Sequence, residues 1–197
     1  MSAKKYRVNE IFYSLQGEGR WAGRAAIFIR FSGCNLKCPF CDTDFRKYHE
    51  MTVARIIETI KPWKNTGFVV LTGGEPTLQV DNTLTDALHD AGFVIAMETN
   101  GTHKVLGDID WVTISPKTPF VSNGEVVLKS ADELKLVYTG ENKVETYGID
   151  TENLYLQPCD TGDIAKNEDI LKQCINYIKE NPQWKISIQQ QKILKVR

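Results

Sequence analysis

Short apolar or β-branched runs in this chain repeatedly end in a polar cluster built on glycine or proline, and that rhythm constrains the fold most. Val8 to Leu15, Ala25 to Ser32, Phe68 to Leu71, Phe93 to Glu98, Trp111 to Ser115, Glu133 to Tyr138, Asn153 to Gln157 and Lys185 to Gln190 read as strands. Asn35 to Tyr48 reads as an irregular loop. A helix begins at Thr52 as N-cap, carries Val53, Ile56, Ile57 and Ile60 at helical spacing, and stops at Pro62. Further helices are expected near Asn82 to Ala91, over Glu141 to Tyr147, and over Ala165 to Lys179, where Cys174 shares a face with Leu171 and Ile178. Strands that alternate with crossover helices require a mainly parallel sheet with helices on its faces, so the fold class is α/β. In such sheets ligands collect at the carboxyl ends of the strands. The conspicuous polar clusters fall there: Gly33 to Thr43, Thr72 to Pro76, Glu98 to Gly101, Ser115 to Lys117, and Gln157-Pro158.

Nothing divides this pattern. The 197 residues contain no repeat, low-complexity tract or flexible linker, so one domain spanning 1–197 is expected. The net charge of −1 comes from scattered lysines and arginines, which argues against a nucleic-acid or anionic-membrane partner. The residues from Met1 to Arg7 lead into no signal-like apolar run, and no stretch approaches the ~20 apolar residues of a membrane span. A soluble cytoplasmic protein is the expectation.

Three of the five cysteines sit within eight residues, as Cys34, Cys38 and Cys41 in a C-x3-C-x2-C loop. Without an export signal, such clustering reads as metal or redox chemistry rather than a disulfide framework. A structural zinc site would want a fourth ligand, yet His49, His89 and His103 form no paired motif. Three thiolates suit an iron–sulfur cluster with one iron left open. Cys174 reads as a buried thiol on a helical face, and Cys159 stays ambiguous.

The C-x3-C-x2-C loop resembles the signature of the radical S-adenosylmethionine (SAM) superfamily. The likeness implies a compact, incomplete TIM-like barrel of mostly parallel strands. It implies a 4Fe-4S cluster on Cys34, Cys38 and Cys41, and SAM chelating the open iron. An electron from the cluster would cleave SAM to a 5′-deoxyadenosyl radical. Thr72-Gly73-Gly74-Glu75-Pro76 follows a strand, where glycines let a ligand approach the backbone. It is similar to the superfamily's GGE motif, which implies that Gly73, Gly74 and Glu75 receive the methionine amino group. Glu98, Asn100, Ser115, Lys117 and Gln157 complete the expected cofactor side, with Lys117 offering a charge and Ser115 a hydroxyl. A plain turn at GGEP and a solvated Lys117 are the structural alternatives.

The segment from Glu10 to Gly19, which reads E-x-F-x-S-x-Q-G-E-G, joins C-D-T, G-G-E-P, E-T-N-G, S-P-K, Glu133-Leu134-Lys135 and Gln157-Pro158. Together these resemble the 7-carboxy-7-deazaguanine synthase family over nearly the whole chain. That resemblance implies conversion of 6-carboxy-5,6,7,8-tetrahydropterin to 7-carboxy-7-deazaguanine with loss of ammonia, after hydrogen abstraction at C6 and with SAM regenerated. It further implies Mg²⁺ at Thr43, an electron donor such as flavodoxin or ferredoxin, and a homodimer. Gln16, Glu18, Arg30 and Gln189 are the expected pterin contacts, Arg30 forking onto the substrate carboxylate. An ordinary ion pair at Glu18 and Arg30, a simple loop hydroxyl at Thr43 and a turn cap at Asp42 are the alternatives. Gln191 stands where the family ending commonly carries histidine, so proton transfer at that position is not expected. Two other functions remain in play: a small radical SAM activase acting on a partner protein, and a non-catalytic metal-binding module.

Overall fold

The computed structural model describes residues 4–41, 43–44 and 46–196. Among these residues nine strands form one sheet: β1 (Lys5–Leu15), β2 (Ala25–Phe31), β3 (His49–Thr52), β4 (Phe68–Gly73), β5 (Val94–Thr99), β6 (Trp111–Ile114), β7 (Glu133–Tyr138), β8 (Leu154–Pro158) and β9 (Trp184–Ile186). Their spatial order is β3-β1-β2-β4-β5-β6-β7-β8-β9, with β3 and β9 at opposite edges, so the barrel does not close. From β2 to β9 every pairing is parallel, while β1 runs antiparallel to both of its neighbours.

Four α-helices among the described residues accompany the sheet: α1 (Val53–Ile60), α2 (Asn82–Asp90), α3 (Ile164–Glu180) and α4 (Gln190–Leu194). Thr52 caps α1 through its hydroxyl, Asp81 caps α2, and Asp163 caps α3, each accepting a first-turn backbone N–H. Helices α1 and α2 bury Ile56, Ile60, Leu84 and Leu88 against Ile29, Leu71, Ile95 and Met97. Helix α3 seals a second core around Leu134, Leu136, Leu156 and Trp184, using Cys174 with Tyr177 and Ile178 packed beside it. A third cluster fills the amino-terminal half of the sheet's other face. There Phe12 stacks on Phe28, and Trp21 packs on Phe68 and edge-on against Trp111. The carboxyl-terminal half of that face is left for a cavity.

Several local expectations give way. Glu141 to Tyr147 is bends and a turn rather than a helix: Asn142 accepts from the Thr139 N–H and donates to the Val137 carbonyl, and Tyr147 takes φ +53°. The last strand ends at Ile186, after which the Ser187 side chain is drawn to Gln157 and the chain turns into α4. β3 is a strand the apolar pattern does not announce, since its four residues are exposed or half-buried at a sheet edge. On α3, Leu171 faces solvent, and the buried stripe runs through Ile170 and Cys174. The β5–β6, β6–β7 and β7–β8 connections carry no helix, so crossover helices cover only part of the sheet.

Candidate active site

The carboxyl ends of the strands open into a cavity of about 500 Å³. It gathers every side chain or glycine singled out from the sequence as a site residue except Glu75. Asp42 lies outside the described residues.

The cysteine loop forms one wall. Cys34 and Cys38 are half-buried and Cys41 is exposed, all as free thiols. Among the described residues, no three His, Cys, Asp or Glu side chains are gathered as ligands of a single metal ion. Burial pushes the Cys34 and Cys38 thiols up, and at Cys38 the nearby Lys117 ammonium works the other way. The Lys117 Nζ donates to the Ser115 carbonyl and hydroxyl, both at 2.7 Å, and burial brings its pKa down to about 8.

The glycine loop abuts this wall. A Cβ on Gly74 would lie 2.0 Å from the Gly33 carbonyl oxygen, and one on Gly73, at φ +133°, would lie 2.2 Å from the Phe31 oxygen. Only backbone fits between the two loops, leaving a cradle beside the thiols. Glu75 has a different place from the one expected. Its carboxylate is wholly buried, accepting from the Thr77 hydroxyl and Thr99 hydroxyl at 2.6 Å each, from the Thr77 N–H at 3.1 Å and from the Asn100 N–H at 2.8 Å. Those bonds tie the glycine loop to the Thr99-Asn100-Gly101 turn. The Asn100 side chain donates to Asn35 at 3.1 Å, extending the brace into the cysteine loop.

The floor is a charged ring. Lys135 of β7 pairs with Glu18 and lies 3.5 Å from Glu98 of β5. Glu98 accepts from Gln16 and from the Thr72 hydroxyl, each at 3.1 Å, and the Gln16 oxygen accepts from the Glu18 N–H at 3.2 Å. Glu18 accepts also from Gln189 at 2.9 Å and Gln191 at 3.0 Å. Burial is the largest single influence and would raise the Glu18 carboxyl, but the Lys135 charge together with the hydrogen bonds from Lys135, Gln189 and Gln191 outweighs it and brings the pKa down to about 2. Beneath the ring, Glu133 is buried and accepts from the Arg20 N–H at 2.8 Å, which anchors the turn after Glu18. Gln157 accepts from the Ser187 hydroxyl at 2.9 Å.

Arg30 lines the cavity from β2, directly opposite Glu10 of β1, and its Nε donates to Glu10 at 2.9 Å. Its Nη1 reaches the Thr43 hydroxyl at 3.4 Å. The ion pair weighed for Arg30 is therefore present, with Glu10 as partner. Lys135 and Thr72 belong to this cavity although the sequence names them only within motifs and not as site residues, and Gln191 joins them as a hydrogen-bonding group. The cue for Lys135 is its place in the Glu133-Leu134-Lys135 motif, a lysine inside an otherwise apolar strand run.

The Radical SAM superfamily model matches residues 28–153. The chain is similar to the 7-carboxy-7-deazaguanine synthase of Bacteroides thetaiotaomicron, 41% identical over 97% of this chain and 98% of that protein. It is similar also to the synthase of Bradyrhizobium diazoefficiens, 42% identical over 98% of this chain and 99% of that one. Among solved structures, QueE from Escherichia coli matches with a TM-score of 0.74 and 29% identity, covering 94% of each chain. Streptococcus suis SuiB bound to the precursor peptide SuiA matches with a TM-score of 0.52 at 15% identity, covering 81% of this chain and 47% of that one, a likeness of fold alone.

Proposed function

We infer the reaction from one premise: this chain belongs to the 7-carboxy-7-deazaguanine synthase family of the radical SAM superfamily. It is a radical SAM lyase that converts 6-carboxy-5,6,7,8-tetrahydropterin to 7-carboxy-7-deazaguanine with loss of ammonia, a step of queuosine and 7-deazapurine biosynthesis. The observation that carries this reading is one cavity joining the thiol loop, the glycine cradle and a floor of polar groups sized for a small planar substrate.

The thiol loop and cradle fit the expected cofactors, since soft donors face a space that side chains cannot enter. Bound there, the 4Fe-4S cluster and SAM supply the one-electron chemistry that removes hydrogen from substrate C6. Cys34, Cys38 and Cys41 would hold the cluster. Gly73 and Gly74 would offer backbone groups to SAM. Asn100, Ser115, Lys117 and Gln157 would line its outer part. Glu75 would act indirectly, because its carboxylate is already committed to Thr77, Thr99 and Asn100. On the opposite side Gln16, Glu18, Glu98 and Gln189 would meet the pterin, and Arg30 its carboxylate.

Thr43 is the candidate for Mg²⁺. One hydroxyl makes no site alone, so substrate and water would have to supply the other oxygens. We assign the whole reaction to a single domain over 1–197, an electron donor such as flavodoxin or ferredoxin, and a homodimer that covers the edge strands. Free thiols and a reduced cluster suit the cytoplasm. No helix among the described residues is long and apolar enough to cross a membrane.

The test is anaerobic. Reconstituted protein should be brown, its cluster spectrum should change on adding SAM, and with reductant and carboxytetrahydropterin it should form the deazaguanine chromophore. Cys38→Ala should lose both cluster and product. SAM cleavage without product from this substrate would favour an activase acting on another protein, and a colourless zinc protein would sink the enzyme reading.

A further inference from the structure

We propose that Lys135 is a positioning residue for substrate recognition, fixing Glu18 and Glu98 as a splayed pair of carboxylates that receives the N–H edge of the pterin; the proposal rests on the reaction assigned above.

The geometry of the floor carries this. Lys135 is 5% exposed, in a strand whose neighbours are core residues. A lysine there is costly unless its charge is matched, and an apolar residue would stabilise the fold as well or better. Its ammonium is turned onto two carboxylates from different elements, Glu18 of the loop after β1 and Glu98 of β5. Glu18 has no helix or ladder to hold it. It is fixed by donors alone: Lys135 on one oxygen, Gln189 and Gln191 on the other. All three are committed to the carboxylate.

What the floor presents is consequently acceptor-rich. The Gln191 Oε1 is buried without a hydrogen-bond partner and is turned onto Gly17, where a Cβ would lie 1.7 Å from it, rather than into the cavity. Its orientation is set by its Nε2 on Glu18, since the reverse would oppose two oxygens. The acceptors the floor presents are therefore the carboxylates of Glu18 and Glu98, both of which line the cavity. A ring whose edge carries amide and amine N–H groups complements this array, and a carboxylate edge does not. The substrate carboxylate is thereby directed away from the floor, towards Arg30.

Lys135 does not deliver a proton to the departing ammonia. Burial would lower its pKa, but Glu18 and Glu98 outweigh that and raise it. Its task is to keep Glu18 ionised. The charged groups around Glu18 are Lys135 and Glu133 of β7, Glu98 of β5, and Lys117 beyond β6. Without Lys135, burial would act on Glu18 with the nearby carboxylates and without the opposing ammonium, so its pKa would rise above the ordinary carboxylate range.

The test measures 6-carboxypterin affinity of the holoenzyme over about pH 5 to 8. Wild-type affinity should show no acid limb from Glu18. Lys135→Met should bind about 30-fold more weakly or worse at neutral pH and weaken further as pH falls. In a double-mutant cycle, Lys135→Met should cost clearly less when added to Glu18→Gln than when made in the wild type, because the lysine acts largely through that carboxylate and only in part through Glu98. That comparison also serves if Lys135→Met alone does not fold, the double variant having no Glu18 carboxylate left without its counter-charge. Wild-type affinity and pH profile in Lys135→Met, or fully additive losses, would overturn the proposal. If the wild-type protein fails to bind the pterin, the assigned reaction fails instead. Glu18 ionisation is then read from the pH dependence of unfolding, and equal acid limbs in wild type and Lys135→Met would refute the role of the lysine.

Discussion

Replacing Gly74 with alanine tests whether the cofactor cradle is built by direct contact of two loops. The new Cβ would lie 2.0 Å from the Gly33 oxygen, 2.5 Å from the Gly33 carbonyl carbon and 3.1 Å from the Cys34 Cβ. All but the last are backbone atoms, so no rotamer change relieves them. Moving the first contact out to the 3.0 Å that real Cβ atoms respect requires about 1 Å of separation. The Glu75 N–H now donates to that same Gly33 oxygen at 2.9 Å, and this shift would carry the pair past hydrogen-bonding range. Overpacking contributes about 1–3 kcal/mol and the lost bond about 1 kcal/mol, so unfolding should be easier by roughly 2–4 kcal/mol. An error of about 1 Å between cluster and SAM should cost on the order of 100-fold in turnover. Urea unfolding of the cluster-free protein reads the first effect, and anaerobic product formation the second. Gly92→Ala is the control: φ is +87° with nothing within 4 Å, so it should cost about 1 kcal/mol and leave turnover unchanged. Wild-type stability and SAM response in Gly74→Ala would refute the abutment of the loops.

Two further outcomes follow from groups outside the cavity. Asp81→Ala should lower stability by roughly 2–4 kcal/mol in urea titration, because Asp81 caps α2 at Leu84 and accepts from the buried Tyr6 hydroxyl at 2.6 Å. Burial opposes ionisation of Asp81, but bonds from Lys4, Tyr6 and the Leu84 amide hold its pKa below the ordinary value. Its contribution is therefore present above the unfolded pKa of about 4 and lost as pH falls through the lower folded value, a loss the alanine variant should lack. Cys174 is fully buried, and burial raises its thiol to about 11, so iodoacetamide near pH 8 should label exposed Cys41 in cluster-free protein and spare Cys174 until urea unfolds α3. Comparable native labelling of both, read by mass spectrometry, would contradict that core.

The parts of the fold legible in the sequence are those with a strong local period or cap. Phe68 to Leu71 is unbroken apolar because both faces of β4 are covered, and Thr52 caps α1 where the helical spacing begins. β3 is silent because an edge strand half in water needs no alternation. Ile186 and Ile188 suggest a longer β9, but the Gln190 N–H goes to the Gly17 oxygen, and this tertiary bond turns the tail across the cavity. No local rule contains that partner.

The same division runs through the site. The three thiols and the two glycines are legible because their chemistry is set within a few residues: spacing brings sulfurs to one loop, and the missing Cβ opens the backbone. A carboxylate carries no such information. Glu75 and Glu18 each follow a glycine in a conspicuous motif, yet one is spent on bracing Thr99 and Asn100, and the other is drawn into the cavity floor. What separates them is distant in sequence. Glu18 meets Lys135 across 117 positions and Gln189 across 171, and Gln16 reaches Glu98 across 82. A parallel sheet makes those meetings unavoidable, because it lines up strand ends irrespective of chain distance. Lys135 is thus read in one strand as an isolated buried lysine and becomes intelligible only when β5 and the loop after β1 deliver its counter-charges. Recognition chemistry here is a property of the sheet, whereas cofactor chemistry is largely a property of two loops.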